Sequence, residues 1–305
     1  MSDLAIEARG LSKQFGPTLA VDRLDLEVAH NEVFGFLGPN GAGKTTVVKM
    51  LLDLVRPTAG TALVLGRPPD DWRLRARIGF LPEHFRFQEW LTAVEFLDVH
   101  GRLYGMDGQR RRRRAQELLE MLDLGRHAQK PLQEFSKGML QRIGLAQALM
   151  NDPDLVFLDE PTSGLDPLGR RLVRDVIRSL RGQGTTVFLN SHLLSEIEIT
   201  CDRVAFIRRG RVVHSGQMQD LLAAETEVEV GLDRCDPAVP LRAGQMGWNA
   251  TLDGNRLSVR LATEDQVPDL VAWLVGQGAR VRSVVPRHLS LEEVFLRLME
   301  GEEAG

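Results

Sequence analysis

The sequence predicts an α/β protein built around a parallel sheet, followed by a small α+β module. Three observations predict it. Short apolar runs recur along the first two-thirds of the chain, separated by stretches with helical spacing. One of them, residues 32–37, passes directly into a glycine-rich turn and then a helix. Near residue 220 the pattern changes to alternating strands and amphipathic helices.

Residues 1–37 read as β-rich. Leu24, Leu26 and Val28 alternate with Asp25 and Glu27, as in a half-buried strand. The run 32–37 (EVFGFL), bounded by Asn31 and Gly38, reads as a buried strand. Residues 44–54 carry a helical pattern ended by Pro57 and Gly60. The interval 92–150 reads as mostly helical, with one helix opening around Val94, Leu97 and Asp98 and another over 116–124. The runs 155–158 (LVFL), 185–189 (TTVFL) and 203–207 (RVAFI) are further buried strands, and 167–181 is one of the helices between them.

In the tail, Val228, Val230 and Leu232, and then Leu257, Val259 and Leu261, alternate with polar residues. Val267, Leu270, Val271, Leu274 and Val275 form a helical stripe within 264–277. Residues 280–285 read as a strand. Ser290 and Glu293 have capping-box spacing before a last helix lined by Leu291, Val294, Phe295, Leu298 and Met299. Asp236-Pro237 and 244–247 read as loops, and the terminal GEEAG as frayed. The expected organisation is a domain over 1–220, with a helical subdomain near 85–150, and an accessory α+β domain over 221–305.

Composition narrows the function classes. A net charge of −4 gives no global basic balance for nucleic acid. The two cysteines, Cys201 and Cys235, form no CxxC pair and no zinc-ligand spacing, which fits a reducing compartment. The amino terminus lacks a basic region followed by an apolar stretch, so no signal peptide is expected. No run approaches the ~20 apolar residues of a membrane helix. A cytoplasmic chain is expected, held at a membrane only through another protein.

Two motifs carry chemistry. Residues 38–46 read GPNGAGKTT: Gly38, Pro39, Asn40, Gly41, Ala42, Gly43, Lys44, Thr45 and Thr46. They fit a phosphate-binding loop, in which glycines let the backbone amides curl around an anion at a helix amino terminus. Lys44 reaches the β- and γ-phosphates, and the Thr45 hydroxyl ligates Mg²⁺. The second motif is LVFLDE, 155–160, which delivers Asp159 and Glu160 to the carboxyl end of a strand. One acid supports Mg²⁺ and the other orients the attacking water, because phosphoryl transfer needs positioning and charge neutralisation.

Together these residues resemble the ATP-binding subunits of ABC transporters over residues 4–220. The resemblance implies a P-loop NTPase with a RecA-like core, an antiparallel β-subdomain and a helical subdomain. It identifies GPNGAGKTT as Walker A and LVFLDE as Walker B with its following glutamate. FSKGM, 135–139, resembles the signature motif, a nucleotide-binding stretch of Ser136, Lys137, Gly138 and Met139 in which Ser136 and Gly138 contact the γ-phosphate held by an opposite subunit. Asp166 in SGLDP resembles the D-loop aspartate, His192 in NSHLLSEIE the switch histidine that senses the γ-phosphate, and Phe15 in SKQFG the aromatic that stacks on adenine. Phe15 also fits a core aromatic. The resemblance implies ATP and Mg²⁺ as cofactors, Glu160 and His192 as catalytic, Thr45, Glu83 and Asp159 as metal ligands, and a homodimer or heterodimer working with a separate transmembrane permease, with no nucleic acid.

Two positions depart from the family pattern. Lys137 and Met139 replace the third and fifth residues of the commonest signature, LSGGQ, and SKGM-type signatures resemble the ABC-2-type export class. Glu83 stands where the family has glutamine, adding negative charge beside Asp159 and Glu160. An importer ATPase and a soluble ABC ATPase acting on DNA or the ribosome are the rivals. The 115 residues from Lys44 to Asp159 hold no sustained heptads, and one P-loop is present, both of which disfavour the soluble rivals. The five arginines at 110–114 read as a solvated helical face or as a contact for anionic headgroups. In 84–91, Phe85, Phe87 and Trp90 anchor a partner's helix or pack the helical subdomain.

Overall fold

The computed structural model describes residues 4–84, 86–223, 226–234, 236–288 and 290–300. The chain divides into two compact units, Met1–Ser215 and Gly216–Gly305.

In the first unit, β1 (Leu4–Phe15) and β2 (Thr18–Ala29) pair antiparallel. Strand β3 (Val33–Leu37) enters a second sheet, α1 (Lys44–Leu51) follows it, and β4 (Ala59–Val64) returns to the other side of β1. The chain continues through β5 (Ile78–Leu81), α2 (Ala93–Leu103), α3 (Gly108–Met121), α4 (Lys137–Ala148), β6 (Leu155–Asp159), α5 (Pro167–Gly182), β7 (Thr186–Asn190), α6 (Leu194–Thr200), β8 (Arg203–Arg208) and β9 (Arg211–Gln217). The second sheet runs β5-β6-β7-β3-β8-β9, with parallel pairing from β5 to β8. A two-residue turn, Arg209 and Gly210 with φ +50° and +80°, folds β9 back beside β8.

Every residue of β3, β6 and β7 is buried. Strands covered on both faces show continuous apolar runs rather than alternation, which is why they stand out in the sequence. Phe188 on β7 lies 5.7, 5.4 and 5.3 Å from the rings of Phe34, Phe36 and Phe157, joining three neighbouring strands in one aromatic core.

Three expectations are corrected. Helix α1 stops at Leu51 rather than near 54: Asp53 takes φ +55°, and the amides of Leu54 and Val55 turn back to the Lys49 carbonyl. The helix expected over 116–124 begins at Gly108 and ends at Met121, because Asp107 caps it through the amides of Gln109 and Arg110. The arginine run therefore lies inside α3, and three of its members are tied to acids on neighbouring segments. Arg110 meets Asp152 at 3.1 Å, Arg111 meets Asp98 at 2.6 Å and Arg114 meets Asp152 at 2.8 Å. The helical interval expected over 92–150 opens with α2 at Ala93, under a Thr92–Glu95 capping box. Of the aromatics just before it, Phe87 packs edge-on to Phe96 of α2 at 5.5 Å, Trp90 is 74% exposed, and Phe85 lies outside the described residues.

The second unit contains α7 (Met218–Ala223), β10 (Thr226–Arg234), α8 (Val239–Gln245), β11 (Asn249–Asp253), β12 (Arg256–Leu261), α9 (Val267–Gly276), β13 (Arg280–His288) and α10 (Leu291–Glu300). From β10 to β13 the order is βαββαβ, in an antiparallel sheet ordered β11-β12-β10-β13, a ferredoxin-like arrangement. Val228, Val230, Leu257 and Val259 form its buried face with Val239 of α8 and Leu270 and Leu274 of α9. The third correction falls here: Gly244, read as loop, lies in the last turn of α8, and the left-handed turn is at Gly247, φ +81°. Ser290 and Glu293 form a reciprocal cap at 2.8 and 3.3 Å.

Among the described residues no helix is long and apolar enough to cross a membrane. Cys201 is a buried free thiol. Cys235 and the GEEAG terminus lie outside the described residues.

Candidate functional site

The carboxyl ends of β3, β6 and β7 and the amino end of α1 meet around a cavity of about 450 Å³. Its wall includes Asn40 to Thr46, Ala20, Glu83, Asp159, Glu160, Asn190 and His192. Residues far apart in the sequence are brought together because β3, β7 and β6 are adjacent and parallel, so their outgoing loops share one edge.

The loop from Gly38 to Gly43 is fixed by close backbone approach. A Cβ on Gly38 would lie 2.2 Å from the Ile207 carbonyl oxygen. One on Gly43, at φ +106°, would lie 2.5 Å from the Ala20 oxygen. The Gly210 amide donates to the Ala42 oxygen at 2.9 Å, tying the loop to the β8–β9 turn. Lys44 folds over the loop, its Nζ donating to the oxygens of Gly38 at 2.6 Å and Pro39 at 3.1 Å. Burial pushes the Lys44 ammonium below its ordinary range, and the charges of Glu160, Asp159 and Glu83 oppose that shift.

Across the cavity, Asp159 is 4% exposed and accepts a 2.5 Å hydrogen bond from Asn190 Nδ2. Burial holds its carboxyl above the usual range; the Asn190 bond pulls down, while Glu83 and Glu160 push up. Glu160 directly follows β6 and takes the left-handed region, φ +54°. That turn aims its side chain at the loop after β7. The His192 amide donates to Oε1 at 2.8 Å, His192 Nδ1 lies 2.8 Å from Oε2, and the Ser191 hydroxyl approaches Oε2 at 3.4 Å. The Glu160 main chain is also held: its amide donates to Asn190 O at 2.8 Å, and Gln141 Nε2 donates to its carbonyl at 3.1 Å.

The signature-like residues stand elsewhere. Ser136 caps α4 by accepting from the Met139 amide at 3.3 Å, and Asp166 caps α5 by accepting from Gly169 at 2.7 Å. Ser136, Lys137, Gly138 and Asp166 line a second cavity of about 700 Å³ that shares no lining residue with the first. Phe15 lies in neither; it is 48% exposed at the end of β1, with Lys13 Nζ 5.0 Å from its ring centre. A core role for Phe15 is thereby excluded.

Residues 21–163 match the family model described as ABC transporter. The chain is 39% identical over 305 residues to the daunorubicin/doxorubicin resistance ATP-binding protein DrrA of Streptomyces peucetius, covering 96% of this chain and 92% of that one. It is 42% identical over 301 residues to a Nod factor export ATP-binding protein I of Burkholderia lata, covering 96% of each. The chain belongs to the ABC transporter family of ATP-binding proteins. A solved dimeric ATP-binding cassette in a post-hydrolysis state, bound to ADP and Pi, has a TM-score of 0.65 and 26% identity, over 70% of this chain and 98% of that one. As an ABC transporter ATP-binding protein, the chain binds and hydrolyses ATP on a P-loop NTPase fold.

Four residues at the ABC site escaped sequence reasoning: Ala20, Gln141, Asn190 and Ser191. Gln141 and Ser191 sit beside motifs, within a few positions of the signature and the switch histidine, but nothing local marks their partners. Asn190 has a signal. It ends the same apolar run that precedes His192, and parallel pairing in register puts it beside Asp159.

The acids fit a hard divalent cation. Lys44 alone faces three carboxylates in the cavity wall, and Thr45, Asp159 and Glu83 offer only oxygen. Among the described residues no group of three or more histidine, cysteine or acidic side chains is set to hold a metal. Mg²⁺ does not need one, since it binds through one or two carboxylates and the substrate's phosphates while keeping several waters.

Proposed function

We propose that the chain energises export through a separate membrane permease, with ATP held between two copies of the cassette. The observation that carries this reading is the pair of unconnected cavities. One holds Walker A, Asp159, Glu160 and His192; the other holds Ser136, Gly138 and Asp166. Each is half of the expected site, and a head-to-tail pair of chains completes both.

In this reading Gly38 to Thr46 grip the phosphates. Mg²⁺, when bound, neutralises charge on the transferring phosphoryl group. Thr45, Asp159 and Glu83 would hold it. Glu160 accepts a proton from the attacking water once its carboxylate is released from His192, and His192 turns to the γ-phosphate. Ser136, from the amino end of the partner's α4, adds a helix dipole that favours the anion. Phe15 is exposed as an adenine platform must be. Subunits of this family work with membrane subunits, and in this reading the complex sits at the inner face of the membrane. Export is supported by the names of the drug-resistance and Nod factor relatives and by the SKGM signature.

The test is disulfide trapping. Asn40→Cys and Ser136→Cys, introduced together with Glu160→Gln, are expected to cross-link between copies only with ATP and Mg²⁺. Equal cross-linking without nucleotide, or none with it, rules out the shared site. Co-purification from detergent-solubilised membranes, set against ribosome and DNA pull-downs, tests the partner.

A further inference from the structure

Asn190 occupies a position between the two acids that family resemblance did not assign. It ends β7 in register with Asp159 on the neighbouring strand. It is 3% exposed, yet it lines the phosphate cavity. Its Nδ2 donates to Asp159 Oδ1, and its main-chain oxygen accepts from the Glu160 amide. With the nitrogen so engaged, Oδ1 is buried without a hydrogen-bond partner.

A buried carbonyl oxygen in a native wall normally has a donor. Among the described residues no donor reaches it, and several donors of this wall are engaged elsewhere. Lys44 Nζ binds the Gly38 and Pro39 oxygens, and the Ser191 hydroxyl, His192 amide and His192 Nδ1 close on Glu160. The missing donor therefore comes with the ligand. Beside a carboxylate that holds Mg²⁺, the ligand-side donor is a water of the cation, since Mg²⁺ dehydrates reluctantly and keeps several.

We propose that Asn190 is a positioning residue for the divalent cation, with Nδ2 fixing the Asp159 carboxylate and Oδ1 accepting from a cation-bound water. The proposal rests on the reading of Asp159 as a metal-supporting residue. It accounts for an amide at this position. A carboxylate would lose the donor to Asp159 and add a fourth negative charge, and an aliphatic side chain would lose both contacts. Groups that orient a metal's ligands and waters matter nearly as much as the ligands themselves.

The experiment is a Mg²⁺ titration of fluorescent-ATP binding by the full chain, with free Mn²⁺ measured in parallel by electron paramagnetic resonance. Asn190→Ala is compared with the parent, Asn190→Ser and Asp159→Ala, below the melting midpoint of each. Asn190→Ala is expected to bind ATP in EDTA as the parent does, but to need about 10–100-fold more cation for half-saturation. Asn190→Ser, which keeps a short acceptor and donor, is expected to fall between. An unchanged cation requirement in Asn190→Ala or in Asn190→Ser, with Asp159→Ala impaired, overturns the proposal alone. An unchanged requirement in Asp159→Ala overturns the reading beneath it, and the proposal with it.

Discussion

The His192 main-chain amide and its Nδ1 both lie 2.8 Å from the Glu160 carboxylate, one on each oxygen. Each oxygen keeps a further lone pair for a water, and a turn of the His192 side chain, 61% exposed, would free Oε2 while the main-chain amide stays on Oε1.

Replacing Glu160 with glutamine keeps the shape but removes the base. Phosphate release is expected to fall by about 10²–10⁴-fold, the usual worth of a general base. ATP is expected to stay bound and to hold the chain as a dimer in size-exclusion chromatography. Normal turnover would falsify the assignment of Glu160.

Lys44→Ala tests the phosphate loop. A charge-assisted hydrogen bond contributes about 1.5–3 kcal/mol, so ATP affinity should drop by at least about tenfold, and hydrolysis with it. Equilibrium binding of labelled ATP decides this; retained affinity removes Lys44 from the site.

Asp159 predicts a pH-dependent trade. Its carboxyl titrates higher in the fold than in the unfolded chain, chiefly through burial. The unfolded chain therefore releases that proton first as pH rises. Stability falls from the ordinary carboxylate pKa up to the folded value, and the cost is complete above it. Asp159→Asn removes the cost. The nucleotide-free variant should melt higher than the parent at pH 8, by about 2–4 °C for each kcal/mol relieved, with a smaller gain at pH 4. It should lose metal-dependent turnover. Calorimetric scans at the two pH values check the sign; a lower midpoint at pH 8 contradicts it.

Gly43 and Gly41 separate crowding from backbone strain. Both have positive φ, +106° and +78°, but only at Gly43 would an added methyl meet a backbone oxygen within 4 Å, that of Ala20. Gly41→Ala should lose about 1–3 kcal/mol from strain alone, and Gly43→Ala more. Urea unfolding measures the difference, and equal losses contradict it.

The arginine run makes a graded prediction. Arg114, 14% exposed, meets Asp152 and the Leu149 oxygen at 2.8 and 3.0 Å. Arg113 is 74% exposed, with one pairing at 3.7 Å. Arg114→Ala should destabilise by about 1–3 kcal/mol. Arg113→Ala should stay within about 0.5 kcal/mol, as surface changes do. Chemical denaturation of the two variants compares them.

The central sheet was legible because covered strands have continuous apolar runs: 32–37, 155–158, 185–189 and 203–207 overlap β3, β6, β7 and β8. Shifts of a single residue mattered most at the site. Ending the third run at Leu189 left Asn190 outside the strand that sets it against Asp159. Helix α3 was under-read because only Ala115, Leu118 and Leu119 are buried on it; its start is marked by Asp107 rather than by an apolar stripe. Strand order was not legible, because pairing between distant segments leaves no local trace. The resemblance expected Ser136 to act on a nucleotide held by another copy, but that Ser136 and Asp166 share one cavity apart from Lys44 left no local trace.

A chain that carries each catalytic half in a different hollow has a rate law unlike that of a self-contained enzyme. On the two-copy reading, dilution strips activity faster than it strips protein, and specific activity climbs with concentration until encounters saturate. A permease that holds two such chains side by side would abolish that dependence, keeping ATP consumption low wherever the chain is not docked.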